Sequence, residues 1–136
     1  MKAKPPVGET LTKNLEVLPS TTAAFFASDE GEQYASVLGT PFLIAEMERV
    51  CAQVLQPFLA SGQVSVGAHI DIRHIASTAV GANYSITAKL VENRWGLFTF
   101  EVVARDNAGE IGKGKIVRAI ADLEEIEQRG KLALTS

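Results

Sequence analysis

GTPFLIAEMERVCAQVLQPFL, residues 39–59, is the only long segment of this chain in which apolar residues recur with the period of a helix. Thr40 followed by Pro41 predicts the helix start, with Thr40 as the N-cap and proline at the first helical position, and Ser61-Gly62 predicts the end. At about 100° per residue, one broad arc of this helix is apolar. The rest of the chain must cover that arc, which consists of Leu43, Met47, Val50, Cys51, Val54, Leu55 and Phe58.

An acidic residue, Glu48, falls at the edge of the apolar arc, one turn after Ile44 and one turn before Cys51. A carboxylate placed against an apolar surface lowers stability considerably unless it is paired or neutralised. The sequence therefore predicts that Glu48 is partly buried or faces a cleft.

Length and composition describe one globular domain spanning residues 1–136. Hydrophobic residues make up 46% of the chain and charged residues 21%, with a net charge of −3, which gives no electrostatic footprint for nucleic acid. Cys51 is the single cysteine, so no internal disulfide forms, and no stretch has the length of a membrane span or the character of a signal peptide. We therefore expect a cytoplasmic protein that binds neither membrane nor nucleic acid, with residues 1–8 and 126–136 loosely ordered.

Five strands are predicted around the helix. Short alternation marks the first at 10–17, and the most regular alternation of the chain marks the second at 63–76. Three further runs, 83–92, 97–105 and 112–122, are joined by turn-rich links and predict antiparallel hairpins, with the last run as an edge strand. One long helix with five such strands predicts an α+β fold in which an antiparallel sheet covers the helix.

The strand at 63–76 places two histidines on opposite faces, so they cannot share a metal ion. His69 falls on the polar face. His74 falls in phase with the apolar residues, where a lone histidine is most often a satisfied core residue. This one is accompanied by Glu48 and Thr40 of the helix. The face predicted to pack on the helix carries Val64, Val66, Ala68, Ile70 and Ile72 as well as His74.

The segment before the helix, residues 20–38, has the periodicity of neither a strand nor a regular helix. Such a long, weakly patterned segment beside the central helix predicts a short helix and loop that form a lid. Its aromatic residues Phe25, Phe26 and Tyr34 would then contact substrate. The alternative is that these aromatics close the end of the core.

Three local patterns together resemble the fluoroacetyl-CoA thioesterase-like group of hotdog-fold thioesterases. They are Gly39-Thr40-Pro41 with Glu48 eight residues after Thr40, the histidine-bearing strand at 66–76, and Glu110-Ile111-Gly112-Lys113-Gly114. The resemblance runs from about residue 7 to about residue 125. It implies a hotdog fold, with an antiparallel sheet wrapped around one long central helix, and an acyl-CoA thioesterase that forms a homodimer or a higher oligomer.

The resemblance also implies the site. The family's Thr/Glu/His trio matches Thr40, Glu48 and His74 as catalytic residues, and Gly67 matches a glycine whose N–H holds the thioester carbonyl across the protomer interface. Coenzyme A is then part of the substrate, and neither a separate cofactor nor a metal is implied. A carboxylate against an apolar wall can act as general base or nucleophile, and a histidine can pass the proton to the leaving thiolate. Direct attack by water and an acyl-enzyme both remain open.

Cys51 is the alternative nucleophile, one turn after Glu48. It lies within the apolar arc, where a thiol is expected to be neutral and unreactive.

The lid departs from that of the specialised family member, which carries closely spaced phenylalanines before its threonine. The matching positions here are Gly31 and Tyr34. Three functions thus compete: a thioesterase for small or medium acyl-CoAs, a non-catalytic binding protein for acyl-CoA or another small ligand, and a hotdog dehydratase or hydratase. The Asp/His context expected of the last class is not seen.

Overall fold

One long helix lies on one face of a five-stranded antiparallel sheet in the computed structural model, which describes residues 3–134. The strands are ordered β1-β3-β4-β5-β2, so β1 and β2 form the two edges. Short 3₁₀ helices lie at Pro19–Thr21, Ala23–Phe26, Gln56–Phe58 and Leu132–Leu134. The main elements are β1 (Thr10–Glu16), α1 (Thr40–Leu55), β2 (Gln63–His74), β3 (Asn83–Arg94), β4 (Leu97–Asp106), β5 (Gly109–Asp122) and α2 (Leu123–Lys131).

The core lies between α1 and the inner face of the sheet. The predicted apolar arc of α1 is buried, apart from Phe58, which lies in the following 3₁₀ helix and is half-buried. The alternation predicted for the two central strands is also observed, because every second residue of each is buried against the helix. These residues are Tyr84, Ile86, Ala88 and Leu90 of β3, and Phe98, Phe100, Val102 and Ala104 of β4.

The start of α1 differs from the prediction in one residue. Gly39 is the N-cap, and Thr40 is already helical and makes no capping bond. The Gly39 amide donates to the Thr21 carbonyl at 2.9 Å, and a Cβ on Gly39 would lie only 3.0 Å from the Ala23 nitrogen. The capping role predicted for Thr40 is therefore wrong, because the close approach of the preceding segment requires glycine at the cap and leaves the threonine hydroxyl for another partner.

The strand β5 is not an edge strand, as the sequence had predicted, because it pairs with β4 on one side and β2 on the other. Among the described residues, the free edge on that side belongs to β2, which is 12 residues long.

The inner face of β2 differs from the predicted one in its first half. The pairing with β5 shifts between Gly67 and His69, so Ala68 is the extra residue of a β-bulge. Before the bulge, Ser65 and Gly67 lie opposite Ile120 and Arg118 and face the helix. Val64 and Val66 were therefore assigned to the wrong face, whereas Ile70, Ile72 and His74, which follow the bulge, were assigned correctly.

Residues 20–38 form an arm that is bonded to the start of α1. The amides of Ala23 and Ala24 donate to the carbonyls of Val37 and Ala35, at 2.9 and 3.0 Å. These bonds make the segment a short antiparallel pair whose base is fixed, rather than a loosely attached loop.

The chain continues from β5 into α2 without a loop. Asp122 caps this helix by accepting a hydrogen bond of 3.0 Å from the Glu125 amide. Within residues 3–134, neither α-helix has the length and apolar character needed to cross a membrane.

Candidate active site

Thr40 and His74 are brought together at the N-terminal end of α1. The threonine hydroxyl and Nδ1 of the imidazole are hydrogen-bonded at 2.7 Å. Thr40 is in the first turn of the helix, and His74 is the last residue of β2, opposite Gly112 of β5. Because the hydroxyl makes no capping bond, it fixes the orientation of the imidazole instead.

The other ring nitrogen of His74, Nε2, is buried and has no hydrogen-bond partner among the described residues. Burial lowers the pKa of His74 below that of a free histidine, whereas the backbone of Ala76 acts to raise this pKa. The imidazole is therefore neutral near pH 7, with one nitrogen held and the other available. Such a group can accept or donate a proton.

Glu48 is held at a second location on α1. Its Oε1 accepts a hydrogen bond of 3.2 Å from Nη1 of Arg118, and its side chain is 29% exposed, as the sequence predicted for a partly buried carboxylate. Arg118 also donates to Ser65, from Nε to the hydroxyl at 3.0 Å and from Nη2 to the carbonyl at 2.8 Å. Glu48 is thus a carboxylate paired with a cation that is itself anchored to β2.

Gly67 lies directly beside this carboxylate. It faces Arg118 across the β2–β5 pair, and a Cβ at this position would overlap Oε1 of Glu48. A side chain at this position would therefore require the Glu48 carboxylate to move from its place beside Arg118, independently of any role of the Gly67 N–H group. An open cleft of about 400 Å³ adjoins the pair and is lined by Glu48, Gly67, Ala68, His69 and Ile70.

The Thr40–His74 pair and the Glu48–Arg118 pair are separate within one chain. Glu48 follows Thr40 by eight residues, which is about 12 Å along the axis of an α-helix. Thr40 and His74 therefore lie at one end of the helix, and Glu48 with Gly67 and Arg118 lies two turns further on. Within one copy of the chain, no hydrogen bond joins Glu48 to Thr40 or His74 among the described residues.

Arg118 was not among the residues that the sequence singled out. The pattern Ile116-Val117-Arg118-Ala119-Ile120 contains the signal, because an arginine alternates with two isoleucines on the same face of a strand. Ile116 is fully buried and Arg118 is 9% exposed. An inward arginine needs an acidic or carbonyl partner, and Glu48 was the available carboxylate.

The two phenylalanines of the predicted lid pack on the first turn of α1. Phe26 stacks on Phe42 of α1 with ring centres 4.9 Å apart, and Phe25 meets the same ring edge-on at 6.2 Å. Phe25 is 61% exposed and Phe26 is 44% exposed, so they do not close the core. Tyr34 is exposed as well, and the interaction of its hydroxyl with the Glu32 carboxylate lowers the pKa of Glu32 and raises the pKa of Tyr34.

Two other residues considered from the sequence form no hydrogen bond to Thr40, His74 or Glu48. Cys51 is fully buried, and burial raises the pKa of its thiol to about 12, so it is neutral at physiological pH. His69 lies opposite Val117, on the face of the sheet remote from α1, whereas His74 faces the helix. Within the described part of the chain, no three His, Cys, Asp or Glu side chains are grouped as metal ligands.

Known proteins share this arrangement of helix and sheet. Residues 17–124 match the family described as fluoroacetyl-CoA-specific thioesterase. The fluoroacetyl-CoA thioesterase of Streptantibioticus cattleyicolor is 31% identical over 125 residues, which is 90% of each chain. A structure of the fluoroacetyl-CoA thioesterase FlK has a TM-score of 0.88 and 30% identity, covering 93% of this chain and 96% of the other. A Thermus thermophilus thioesterase superfamily member shares the fold, with a TM-score of 0.86, 22% identity, and coverage of 96% and 93%.

The fold shared with these structures is the hotdog fold of thioesterases, so the predicted fold class is confirmed. More particularly, the chain belongs to the fluoroacetyl-CoA-specific thioesterase family. The prediction that it is a thioester hydrolase is thereby confirmed at the level of the family.

The lowered pKa of His74 makes stability depend on pH in a known direction. As pH falls below 6.5, the unfolded chain takes up a proton at this residue before the folded chain does, so the folded state loses stability. We expect the melting temperature to fall between pH 7 and pH 5 more steeply for the wild type than for His74→Gln. Equal slopes for the two proteins would contradict the assigned shift. The variant His69→Gln serves as the control, since it removes a histidine from the opposite face.

Proposed function

We propose that this protein hydrolyses the thioester bond of small or medium acyl-CoAs, using Thr40, Glu48 and His74 at an interface between two copies of the chain. The observation that carries the proposal is the hydrogen-bonded Thr40–His74 pair, which leaves a buried imidazole nitrogen without a partner among the described residues. A neutral imidazole held in this way is poised for proton transfer.

The reaction breaks the C–S bond of the thioester, adds water, and gives a free acid and the thiol of CoA. Glu48 accepts the proton of an attacking water, or its own oxygen attacks the carbonyl carbon and water then opens the acyl-enzyme. His74 takes up the proton that the water releases and passes it to the departing sulfur, so that the imidazole ends neutral as it began. The Gly67 N–H is proposed as a donor to the carbonyl oxygen, where negative charge develops.

Two copies are proposed because one copy does not bring the trio together. The Thr40–His74 pair and Glu48 are about 12 Å apart along α1, further than a single reacting group can span. In a two-fold dimer with antiparallel helices, the pair from one protomer can meet Glu48 and Gly67 of the other. Each dimer then contains two equivalent sites.

The edge strand β2 is the surface through which we propose that the copies associate. It carries Gly67 and His74, its backbone is unpaired on one side among the described residues, and it exposes 42% of Ile70. A long exposed edge favours pairing with another strand. Pairing there would place both halves of each site at the interface.

Phe25, Phe26 and Tyr34 are proposed to line the entrance for the acyl group. Their exposure is compatible with a substrate-facing surface, and the stacking on Phe42 holds the two phenylalanines in place. A tightly closed gate is not proposed, because a side chain at Gly31 would meet no atom within 4 Å and Tyr34 is directed to Glu32.

The open lid leads to a prediction on selectivity. We expect the ratio of kcat/KM for fluoroacetyl-CoA over acetyl-CoA to stay below about 10³, because a loose pocket gains little free energy from replacing one hydrogen by fluorine. The measurement is steady-state thiol release with both substrates. A larger ratio would contradict the prediction and would assign the gate to Phe25 and Phe26, which alanine variants of the two residues would then test.

The proposed function is tested with a panel of acyl-CoAs of increasing chain length, followed by release of free thiol. Turnover of short or medium members is the expected result. Binding of acyl-CoA without thiol release would indicate the non-catalytic alternative, and hydration of an enoyl-CoA without thiol release would indicate a hydratase.

A further inference from the structure

We infer that Ile75, the residue after His74, is a specificity-determining residue that favours acyl chains longer than acetyl. The acyl chain of the substrate runs along the cavity beside His74, and the Ile75 side chain forms its apolar wall. The inference rests on the proposed function, because it names the substrate class of the same site. It concerns a residue outside the Thr/Glu/His trio and outside the arm that precedes α1.

An open cavity of about 290 Å³ lies directly beside the imidazole. It is lined by His74, Ile75, Ala76 and Ser77. A water molecule occupies about 30 Å³ in the liquid, so this space equals about ten waters and is far larger than the methyl group of an acetyl thioester requires. The surplus space can hold the further methylene groups of a longer acyl chain.

The lining of this cavity suits a hydrocarbon chain better than the CoA arm. Ile75 and Ala76 are apolar, Ser77 is uncharged, and the imidazole of His74 is neutral near pH 7. The amides and phosphates of the CoA arm require several hydrogen-bond donors or cations when they leave water, and this lining has no cationic side chain. A mainly apolar lining with few polar groups is typical of sites for apolar ligands.

Ile75 provides most of the apolar surface in the cavity. Its side chain is 51% exposed. A hydrocarbon chain that covers it removes apolar area from water on both sides of the contact, which favours binding. The exposed Phe25 and Phe26 belong to the arm, whose end is bonded to the same loop by the Leu38 amide and the Thr78 carbonyl at 2.9 Å. Apolar side chains from two connected segments are thus presented near the site.

The backbone that carries Ile75 is fixed. The Ile75 amide donates to the Ile111 carbonyl at 2.8 Å, and the Ala76 amide donates to the same carbonyl at 3.3 Å. Further along the loop, Thr78 is buried and its hydroxyl donates to Asp106 at 2.8 Å, which ties the loop to the end of β4. A wall held in this way need not be ordered when substrate binds, so its contacts contribute more fully to affinity.

The test compares acetyl-, butyryl- and hexanoyl-CoA as substrates of the full-length wild type, Ile75→Thr and Ile75→Leu. For the wild type, we expect kcat/KM to rise about fourfold for each methylene group that is buried against the wall. Ile75→Thr keeps the branched shape but loses much of the apolar surface, so kcat/KM should fall about tenfold more for hexanoyl-CoA than for acetyl-CoA. Ile75→Leu has the same number of carbon atoms and should keep the preference for longer chains.

Val80→Thr is the matched control. Val80 belongs to the same loop and is 42% exposed, but it does not line the cavity. This variant should keep the wild-type kcat/KM for all three substrates, and circular dichroism monitors the fold of each protein. If Ile75→Thr does not fold, Ile75→Val takes its place. Because it removes one methylene group, it should lower kcat/KM about fourfold more for hexanoyl-CoA than for acetyl-CoA.

The inference is overturned if the active wild type shows no preference for the longer chains, or if Ile75→Thr keeps the wild-type preference. An equal loss for all three substrates would also overturn it, because the cavity would then hold the CoA arm and not the acyl chain. The same holds if Val80→Thr changes the preference as much as Ile75→Thr. Each of these results leaves thioester hydrolysis intact, whereas wild-type protein that releases no thiol from any of the substrates would overturn the proposed function as well.

Discussion

Glu48→Gln and His74→Ala are each expected to lower kcat for acyl-CoA hydrolysis by at least about 10²-fold while the chain remains folded. The glutamine keeps the shape of the side chain and can still accept a bond from Arg118, but it can neither take a proton from water nor attack the carbonyl. The alanine removes the imidazole whose Nε2 has no partner among the described residues. Thr40→Ala should lose less activity, because it removes only the hydroxyl that orients the imidazole.

Thiol release by purified variants measures this effect, and circular dichroism monitors the fold. Cys51→Ser is the control and should keep turnover close to the wild type, since Cys51 is a buried neutral thiol. Loss of activity in Cys51→Ser together with an active Glu48→Gln would indicate that Cys51, and not Glu48, is the catalytic residue.

Mixed dimers of two inactive proteins are expected to regain activity. Glu48→Gln and His74→Ala chains are co-expressed with different tags, and dimers carrying both tags are purified. If each site takes Thr40 and His74 from one protomer and Glu48 from the other, one of the two sites in every mixed dimer is intact. We expect about half of the wild-type turnover per dimer. Mixed dimers as inactive as their parents would show that each site lies within one chain.

The reverse combination gives the matching control. One chain carries both substitutions, Glu48→Gln and His74→Ala, and the other is wild type. Shared sites predict that both are then damaged and that activity is lost, whereas sites within one chain predict about half of the wild-type turnover. The same preparations show by light scattering whether the protein forms dimers, and a stable monomer at micromolar concentration would contradict the proposed arrangement.

The elements that depend on local pattern could be predicted from the sequence. The apolar arc of α1 follows from the helical period of 3.6 residues, and the alternation of β3 and β4 follows from the strand period of 2. Both patterns are clear in the sequence because only one side of each element is buried. Glu48 and His74 could be found for the same reason, because each is a polar residue at a position where the period of its helix or strand predicts an apolar one. Gly67 was found only through the resemblance, and the structure supplies a steric reason for it in the contact with Glu48.

The errors arise where tertiary contacts override local pattern. Thr40 has the residue type of an N-cap, but the approach of the preceding arm to Gly39 decides the cap, and His74 takes the hydroxyl. The alternation of β2 continues unbroken in the sequence through Ala68, so this pattern does not predict the bulge, which becomes evident only from the pairing with β5. A glycine within a strand is the one local hint of such a bulge, and Gly67 provides it.

The bulge at Ala68 also determines how β2 can be aligned. A regular strand can slide by two residues along its neighbour and still present the same faces, and this freedom leads to mispairing and fibrous aggregation. In β2 the break in alternation falls between Gly67 and His69, so sliding would put Gly67, Ile70 or His74 opposite the wrong residues of β5. The backbone N–H and C=O groups on the free edge of β2 are irregularly spaced at the same bulge. An ordinary alternating segment from another protein would therefore fit it poorly, and the bulge protects a long exposed edge from indiscriminate association.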